Sequence, residues 1–279
     1  MNAFAIRGLT KRYDGFALDS VTLELPEGCI LGLIGENGAG KTTTIKTALN
    51  IIKKDGGEAE IFGQKVEGDI ASLKEDIGIV LGEPGLSGCL TGEEVARIME
   101  GIFARWDNAE FRRLADELDL PLTKKYKELS QGNRMKLGIA VALSHGAKLL
   151  ILDEPTNGLD PVVRDKVMEI LMDFTREENH SVLISSHIVS DLEKVCDYIA
   201  FLHNGKLMLC EEKDALMEEY GVLHCKREDF EAIDPAAVVG SSDSIYGVSA
   251  VVRRDAVPEG WELSPVSLED LFVVMVKEA

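Results

Sequence analysis

A short segment near the N-terminus has the residue types and spacing of a phosphate-binding loop. Residues 35–42 read GENGAGKT and satisfy the pattern G-x-x-x-x-G-K-[ST] at every required position. Glycine lets backbone N–H groups approach phosphate oxygens closely, because no Cβ atom stands between them. In this pattern Lys41 reaches the β- and γ-phosphates, and the Thr42 hydroxyl can ligate Mg²⁺. The segment predicts a nucleoside triphosphate site whose contacting residues are Gly35, Asn37, Gly38, Ala39, Gly40, Lys41, Thr42 and Thr43.

A second candidate group is a pair of carboxylates, Asp153 and Glu154, at the end of the apolar run LLIL in residues 149–152. The exits of strands are where open α/β sheets hold their ligands. Asp153 would hold Mg²⁺, and Glu154 would orient a water and accept its proton during attack on a γ-phosphate. A strand that ends in a solvated acidic turn is the alternative interpretation, which the phosphate-binding loop makes less attractive.

The elements around these groups are predicted to be strands and helices in alternation. Residues 29–34 form an apolar run typical of a buried strand, and residues 43–50 are expected to form a helix. A helix N-terminus that follows a glycine-rich loop presents free N–H groups to an anion. Near-continuous apolar strands that alternate with helices indicate a mainly parallel sheet covered on both faces.

The pattern divides the chain into unequal parts. Turns between the first strands predict an antiparallel N-terminal β part, and a helical insertion is expected over about residues 87–147. Residues 1–220 are predicted to form the α/β domain with its helical subdomain. Strands and a final helix in residues 221–279 predict a small α+β domain.

The composition narrows the classes of function. A net charge of −19 disfavours nucleic acid as a partner, because nucleic-acid binders normally present a basic surface. The five cysteines are scattered without a C-x-x-C pair, which is typical of free thiols in a reducing compartment. We expect no segment of the chain to span a bilayer, since no uninterrupted apolar run approaches 18 residues.

Three further segments follow the loop and the carboxylates in a specific order. Residues 129–133 read LSQGN and precede an amphipathic helix, for which Ser130 is a plausible N-cap. Residues 157–160 read NGLD, and His187 follows two serines at a strand end. With this order of motifs the chain resembles the ATP-binding-cassette ATPases over roughly residues 2–220. Residues 129–133 correspond to the LSGGQ signature of that family, residues 157–160 to its D-loop, and His187 to its switch histidine.

The resemblance implies a P-loop NTPase (RecA-like) fold and a head-to-tail dimer in which each ATP lies between one loop and the partner's signature. Ser130 and Gly132 would then contact the γ-phosphate bound by the other subunit. His187 would contact the same phosphate and hold Glu154 and the water in register, so that Lys41, Glu154 and His187 are the catalytic residues.

Two positions in the resemblance have open alternatives. Tyr13 stands where the family places an aromatic side chain against adenine, although a lone tyrosine is more often a packing residue. Asp160 would cross the dimer interface, and it is also suited to cap the helix that begins at Pro161.

The chain departs from the family's pattern after the strand predicted at residues 77–81. Gly82, Glu83 and Pro84 occupy the place where the family usually has a glutamine. Glycine has no side chain to ligate Mg²⁺, whereas Glu83 could do so and would change the charge around the metal. Asn133 ends the signature in place of glutamine and keeps an amide.

The resemblance implies the ATP-hydrolysing subunit of a membrane transporter, with ATP and Mg²⁺ as cofactors. A separate integral membrane permease would hold it at the cytoplasmic face of the membrane, and its ATPase partner would be a second copy or a paired subunit. The segment before the signature and the C-terminal segment SLEDLF favour the drug-, bacteriocin- or polysaccharide-exporter group of bacteria. The alternatives are an ATPase that acts on nucleic acid or ribosomes, and a regulatory ATP-binding subunit with weak hydrolysis.

Overall fold

The computed structural model describes residues 1–68, 73–82, 85–244, 247–258 and 260–278. The strands in these residues are β1 (Asn2–Tyr13), β2 (Phe16–Pro26), β3 (Ile30–Ile34), β4 (Gly56–Ile61), β5 (Gln64–Lys65), β6 (Ile77–Leu81), β7 (Leu149–Asp153), β8 (Ser181–Ser186), β9 (Tyr198–His203), β10 (Lys206–Glu212), β11 (Tyr220–Cys225), β12 (Val238–Ser244), β13 (Gly247–Arg253) and β14 (Leu263–Ser264). The helices are α1 (Lys41–Ala48), α2 (Gly92–Ile102), α3 (Asn108–Glu117), α4 (Gln131–Leu143), α5 (Pro161–Phe174), α6 (Val189–Val195), α7 (Lys213–Glu219), α8 (Arg227–Phe230) and α9 (Leu268–Glu278).

The central sheet has the strand order β10-β9-β3-β8-β7-β6. Its strands are parallel from β9 to β6, and β10 joins β9 as an antiparallel edge. Leu149 and Ile151 of β7 pack into one hydrophobic core, while Leu150 and Leu152 pack into the core on the opposite face. Because both faces are covered, β7 is apolar at successive positions, as expected for a strand of a parallel sheet.

The register of the central sheet brings three strand ends together. Ile34 of β3 pairs with Ser186 of β8, and Asp153 of β7 pairs with Ser185 of β8. The residues that follow β3, β7 and β8 therefore leave the sheet at one edge, which is where ligands of open α/β sheets bind.

A second sheet covers one face of the central sheet. Its order is β2-β1-β4-β5 and its pairings are antiparallel. Phe4, Ile6 and Leu9 of β1 share a core with α1 and with the central strands. This sheet is the predicted antiparallel N-terminal part.

Helices α2, α3 and α4 follow β6 and carry local capping signals. The Thr91 hydroxyl accepts from the Glu94 amide, and Glu94 accepts from the Thr91 amide in return, which forms a capping box at α2. Asp107 caps α3 by accepting from the Ala109 amide at 2.8 Å. Helix α4 contacts α3 and β6, so the helical segment is joined to the edge of the central sheet.

The third sheet, of order β12-β13-β11-β14, lies in the C-terminal part and begins at Tyr220. It has a core of its own that includes Leu223, Ala250 and Val252. Helix α9 joins this part to the central sheet, where Phe272 meets Phe201 with ring centroids 5.1 Å apart. The division into domains at residues 220 and 221 stays a prediction.

The predicted fold class, a mainly parallel α/β sheet with helical, antiparallel and α+β additions, is confirmed. The predicted start of α1 at residue 43 is wrong, because the helix begins at Lys41. Gly40 has a φ of 111°, so it turns the chain directly into the helix. Within the described residues, no helix is long and apolar enough to cross a membrane.

Candidate active site

The loop between β3 and α1 encloses a cavity of about 310 Å³ at the edge where the central strands end. Most of the predicted nucleotide-contacting residues of the loop line it together with Glu154. The full lining is Phe16, Glu36, Asn37, Gly38, Gly40, Lys41, Thr42, Thr43 and Glu154. Gly35 and Ala39 support the loop from beneath: a Cβ atom on Gly35 would lie 2.5 Å from the Leu202 carbonyl oxygen, and Ala39 is buried.

The shape of the loop requires glycine at two positions. Gly38 and Gly40 have φ angles of 88° and 111°, which residues with a Cβ atom rarely adopt. A Cβ atom on Gly40 would also lie 2.8 Å from Cζ of Phe16. The backbone therefore adopts a conformation that leaves room for an anion near its N–H groups.

Lys41 is buried beside this loop with its charge paired. Its Nζ donates to the carbonyl oxygens of Gly35 at 2.6 Å and Glu36 at 3.2 Å. The same nitrogen lies 3.0 Å from Oε1 of Glu154. These contacts hold the ammonium group at the wall of the cavity. There it can replace its ion pair with the Glu154 carboxylate by contacts with phosphate oxygens.

Asp153 lies at the end of β7 between two hydroxyl groups. Thr42 Oγ1 donates to Oδ2 of Asp153 at 2.6 Å, and Ser185 Oγ donates to Oδ1 at 2.5 Å. A hydroxyl and a carboxylate next to bound phosphates fit Mg²⁺, which binds few protein ligands and keeps several waters. Sequence reasoning missed the part played by Ser185, whose hydroxyl orients the carboxylate.

Glu154 has an unusual backbone conformation and two charged or polar partners. Its φ of 54° is uncommon for a residue other than glycine, and such positions cluster at functional sites. Oε1 pairs with Lys41, while Oε2 lies 2.7 Å from Nδ1 of His187. The structure thus brings the predicted catalytic residues Lys41, Glu154 and His187 into one connected group.

The predicted signature and D-loop segments contact each other, and the D-loop also contacts the predicted catalytic group, since the Asn157 amide donates to the Glu154 carbonyl oxygen at 3.1 Å. Ser130 caps α4 by accepting from the Asn133 amide at 3.3 Å, and a Cβ atom on Gly132 would lie 3.3 Å from the Gly158 carbonyl oxygen. Asp160 caps α5 by accepting from the amides of Val162 and Val163 at 3.1 Å. Among the described residues that line the cavity, none comes from either segment.

Two aromatic residues pair across the hairpin of β1 and β2, and one of them lines the cavity. Tyr13 ends β1 with 46% of its surface exposed, and the Lys11 ammonium lies 5.5 Å from its ring centroid. Phe16, its cross-strand partner, lines the cavity and was not predicted as a site residue. An aromatic residue three positions after Tyr13, across a turn, was the signal in the sequence.

The predicted metal ligand Glu83 lies outside the described residues. The neighbouring Gly82 is described, and its amide donates to the Asp153 carbonyl oxygen at 3.4 Å. The chain therefore passes next to Asp153 immediately before Glu83.

Comparison with known proteins decides the family. The sequence model of the family described as ABC transporter matches residues 18–157. The "Uncharacterized ABC transporter ATP-binding protein YhcH" of Bacillus subtilis is 32% identical, with 98% of this chain and 95% of that protein covered. The chain belongs to the ABC transporter family. Its place in the family is that of the ATP-binding subunit, an ATPase.

Two further similarities fit the ABC transporter assignment. The "Bacitracin transport ATP-binding protein BcrA" of Enterococcus faecalis is 30% identical, with 88% of this chain and 80% of that protein covered. A solved structure described as a dimeric post-hydrolysis state of an ATP-binding cassette, bound to ADP and Pi, has a TM-score of 0.66. It is 24% identical and covers 75% of this chain and 98% of that chain, so it shows a shared fold.

Proposed function

We propose that this ABC ATPase drives a bacterial exporter by closing head to tail on two ATP molecules. The partner in the dimer is a second copy or a paired ATPase subunit, and a separate permease supplies the membrane spans. The observation that carries the proposal is the separation within one chain: Lys41, Glu154 and His187 form one group, and Ser130 and Gly132 lie outside its cavity. A partner chain that brings its own signature would complete the phosphate site.

Hydrolysis is assigned to the connected group. When ATP enters, the Lys41 ammonium leaves its ion pair with Glu154 and pairs with the β- and γ-phosphates. This exchange frees the Glu154 carboxylate. Glu154 then accepts a proton from water as the water oxygen bonds to the γ-phosphorus and the bond to the bridging oxygen of ADP breaks. His187 holds the carboxylate through Nδ1 and orients it toward the water.

The magnesium site is assigned to Thr42 and Asp153, with Glu83 as a candidate third ligand. Mg²⁺ supplies positive charge that offsets the charge of the phosphates. The Ser185 hydroxyl keeps one oxygen of Asp153 occupied and so leaves the other directed at Thr42. Release of Thr42 Oγ1 from Asp153 would open both groups to the metal.

Export of an antimicrobial peptide or a similar compound is supported by the similarity to a protein named for bacitracin transport. The permease would hold the chain at the cytoplasmic face of the membrane. The net charge of −19 supports a protein partner over nucleic acid, since it opposes binding to phosphate backbones.

Affinity purification from detergent-solubilised membranes tests the coupling. The tagged chain should carry a multi-span protein with it, and the ATPase rate of that complex should change when the transported compound is added. A soluble chain that purifies with ribosomes or DNA, with an ATPase rate stimulated by them, would contradict the proposal. The Lys41→Ala variant is the control, because it should keep the membrane partner and lose the ATPase activity.

A further inference from the structure

A buried carboxylate outside the group of Lys41, Glu154 and His187 lies one helical turn beyond the histidine. Asp191 lies in the first turn of α6 with only 5% of its surface exposed. Burial raises the pKa of this carboxyl, and the nearby Arg164 guanidinium opposes that shift. A buried acid of this kind needs polar partners, because removing a carboxylate from water is unfavourable.

The partners of Asp191 come from both ends of the D-loop segment. Thr156, which is fully buried, donates from Oγ1 to Oδ2 of Asp191 at 3.1 Å. The same oxygen lies 3.6 Å from Nε of Arg164, in the first turn of α5. Thr156 follows Glu154 by two residues, and Arg164 follows Asp160 by four. One carboxylate therefore contacts the chain before and after the D-loop.

The connection closes a ring that includes Glu154 and His187. Glu154 and His187 contact each other directly at 2.7 Å. Thr156 lies two residues after Glu154, and Asp191 lies four residues after His187. These two residues make the next contact between the same two segments. The segments 154–156 and 187–191 are thus joined by two side-chain contacts.

The arginine contact is not fully made in this conformation. Nε of Arg164 is buried and, within the described part of the chain, has no hydrogen-bond partner. A distance of 3.6 Å to Asp191 is an ion pair without a hydrogen bond. A small movement of α5 toward α6 would let Nε of Arg164 donate to Asp191, and α5 is the helix that Asp160 caps.

We infer that Asp191 is a positioning residue for ATP hydrolysis, which holds His187 against Glu154 by bracing Thr156 and Arg164 across the D-loop. This inference rests on the proposed roles of Glu154 and His187. Asp191 contacts neither nucleotide nor water, and its effect on the rate passes through the orientation of the histidine ring.

The Asp191→Asn variant tests whether the contacts of Asp191 with Thr156 and Arg164 position His187. Asp165→Asn is the matched control. Asp165 also links α5 to α6, through an exposed ion pair with Lys194 at 2.9 Å. We expect Asp191→Asn to lower kcat by about 10- to 100-fold, the effect of a small misplacement of catalytic groups, while the KM for ATP stays within about twofold. Asp165→Asn should change neither constant.

A spectroscopic readout separates positioning from a general loss of structure. The chain has five histidines, so the ring signals of a ¹⁵N-histidine sample are few, and His187→Gln assigns one of them. The His187 ring signal should move in Asp191→Asn and stay in place in Asp165→Asn. Thr156→Val, which keeps the shape of the side chain and removes the hydroxyl, should act in the same direction and decides the matter if Asp191→Asn does not fold.

The inference is overturned by a folded Asp191→Asn or Thr156→Val protein with the wild-type kcat. It is equally overturned by a lower kcat without movement of the His187 signal, because the effect would then bypass the histidine. The proposed function fails by a different result, which is wild-type hydrolysis by Glu154→Gln.

Discussion

Lys41 Nζ lies 3.0 Å from Oε1 of Glu154, so the cation assigned to the phosphates is paired with the carboxylate assigned to the water. This pair lies largely out of solvent, with 5% of the lysine side chain and 18% of the glutamate side chain exposed. On the proposed roles, ATP would take the lysine from the carboxylate as it binds. Nucleotide binding would therefore free the carboxylate that we propose as the general base.

Lys41→Ala should abolish ATP binding. No other lysine or arginine is present among the described residues that line the cavity, so the β- and γ-phosphate charge would face backbone N–H groups alone. Titration with a fluorescent ATP analogue measures the loss. Lys46→Ala, in the last turn of the same helix, is the control and should bind like the wild type. Unchanged affinity in Lys41→Ala would show that the loop does not hold the phosphates.

Tyr13→Ala should weaken ATP binding by about 1–3 kcal/mol, the range for an aromatic ring that stacks on a base. Because stacking uses the face of the ring system, ATP and GTP should lose similar amounts. The thermal midpoint of unfolding should hold, since Tyr13 is nearly half exposed. Phe16→Ala is the informative comparison: if it alone weakens binding, Phe16 is the stacking residue and Tyr13 is not.

Ser130→Asp should separate helix capping from the contact with a partner's nucleotide. Aspartate caps helices about as well as serine, so α4 should remain stable. Its charge would face the γ-phosphate bound by the partner, and hydrolysis should fall by at least about tenfold through repulsion. Asp107→Ser makes the reverse exchange at the N-cap of α3 and should leave hydrolysis unchanged. A fully active Ser130→Asp protein would limit Ser130 to capping.

Asp153→Asn should raise the Mg²⁺ concentration needed for half-maximal hydrolysis, because it removes a negative oxygen ligand.

Glu83→Gln should shift the same Mg²⁺ titration if Glu83 occupies the place of the missing glutamine. Glu58→Gln, on the exposed face of β4, serves as a control for the loss of one surface charge. An unshifted titration for Glu83→Gln would remove Glu83 from the metal site.

The sequence predicted which motif residues lie at the ends of the parallel strands, and their roles stay predictions. Asp153 ends β7, and the other residues follow the ends of β3, β7 and β8, namely Lys41, Thr42, Glu154 and His187. A parallel sheet brings these strand ends to one edge, whatever the conformation of the loops. The predicted start of α1 was two residues too late. The helix begins at Lys41 because Gly40 adopts a left-handed conformation in the folded loop, which the sequence alone does not display.

Other contacts depended on register and burial, which a single sequence does not display. Ser185 reaches Asp153 because β7 and β8 are paired with these residues opposite each other. Asp191 looks like an ordinary polar residue on a short helix, and its burial appears only when α5 packs on α6. Phe16 reaches the loop through the hairpin register with Tyr13.

ATP-driven closure with Glu154 as the base is the central claim, and Glu154→Gln tests it most directly. The amide keeps the size of the side chain and cannot accept a proton from water. Hydrolysis should fall by about 10²–10⁴-fold, the usual contribution of a positioned general base. ATP affinity should be kept or improved, because Lys41 loses its competing carboxylate while its phosphate contacts remain.

Light scattering after size-exclusion chromatography, run beside the hydrolysis assay, shows the state that ATP stabilises. If the partner is a second copy, Glu154→Gln with ATP should elute at twice the chain mass of 30.5 kDa. Moderate salt should strengthen that dimer, since it screens the repulsion between two chains of net charge −19. The Lys41→Ala/Glu154→Gln double variant should stay monomeric. Hydrolysis of ATP by Glu154→Gln at the wild-type rate would contradict the account.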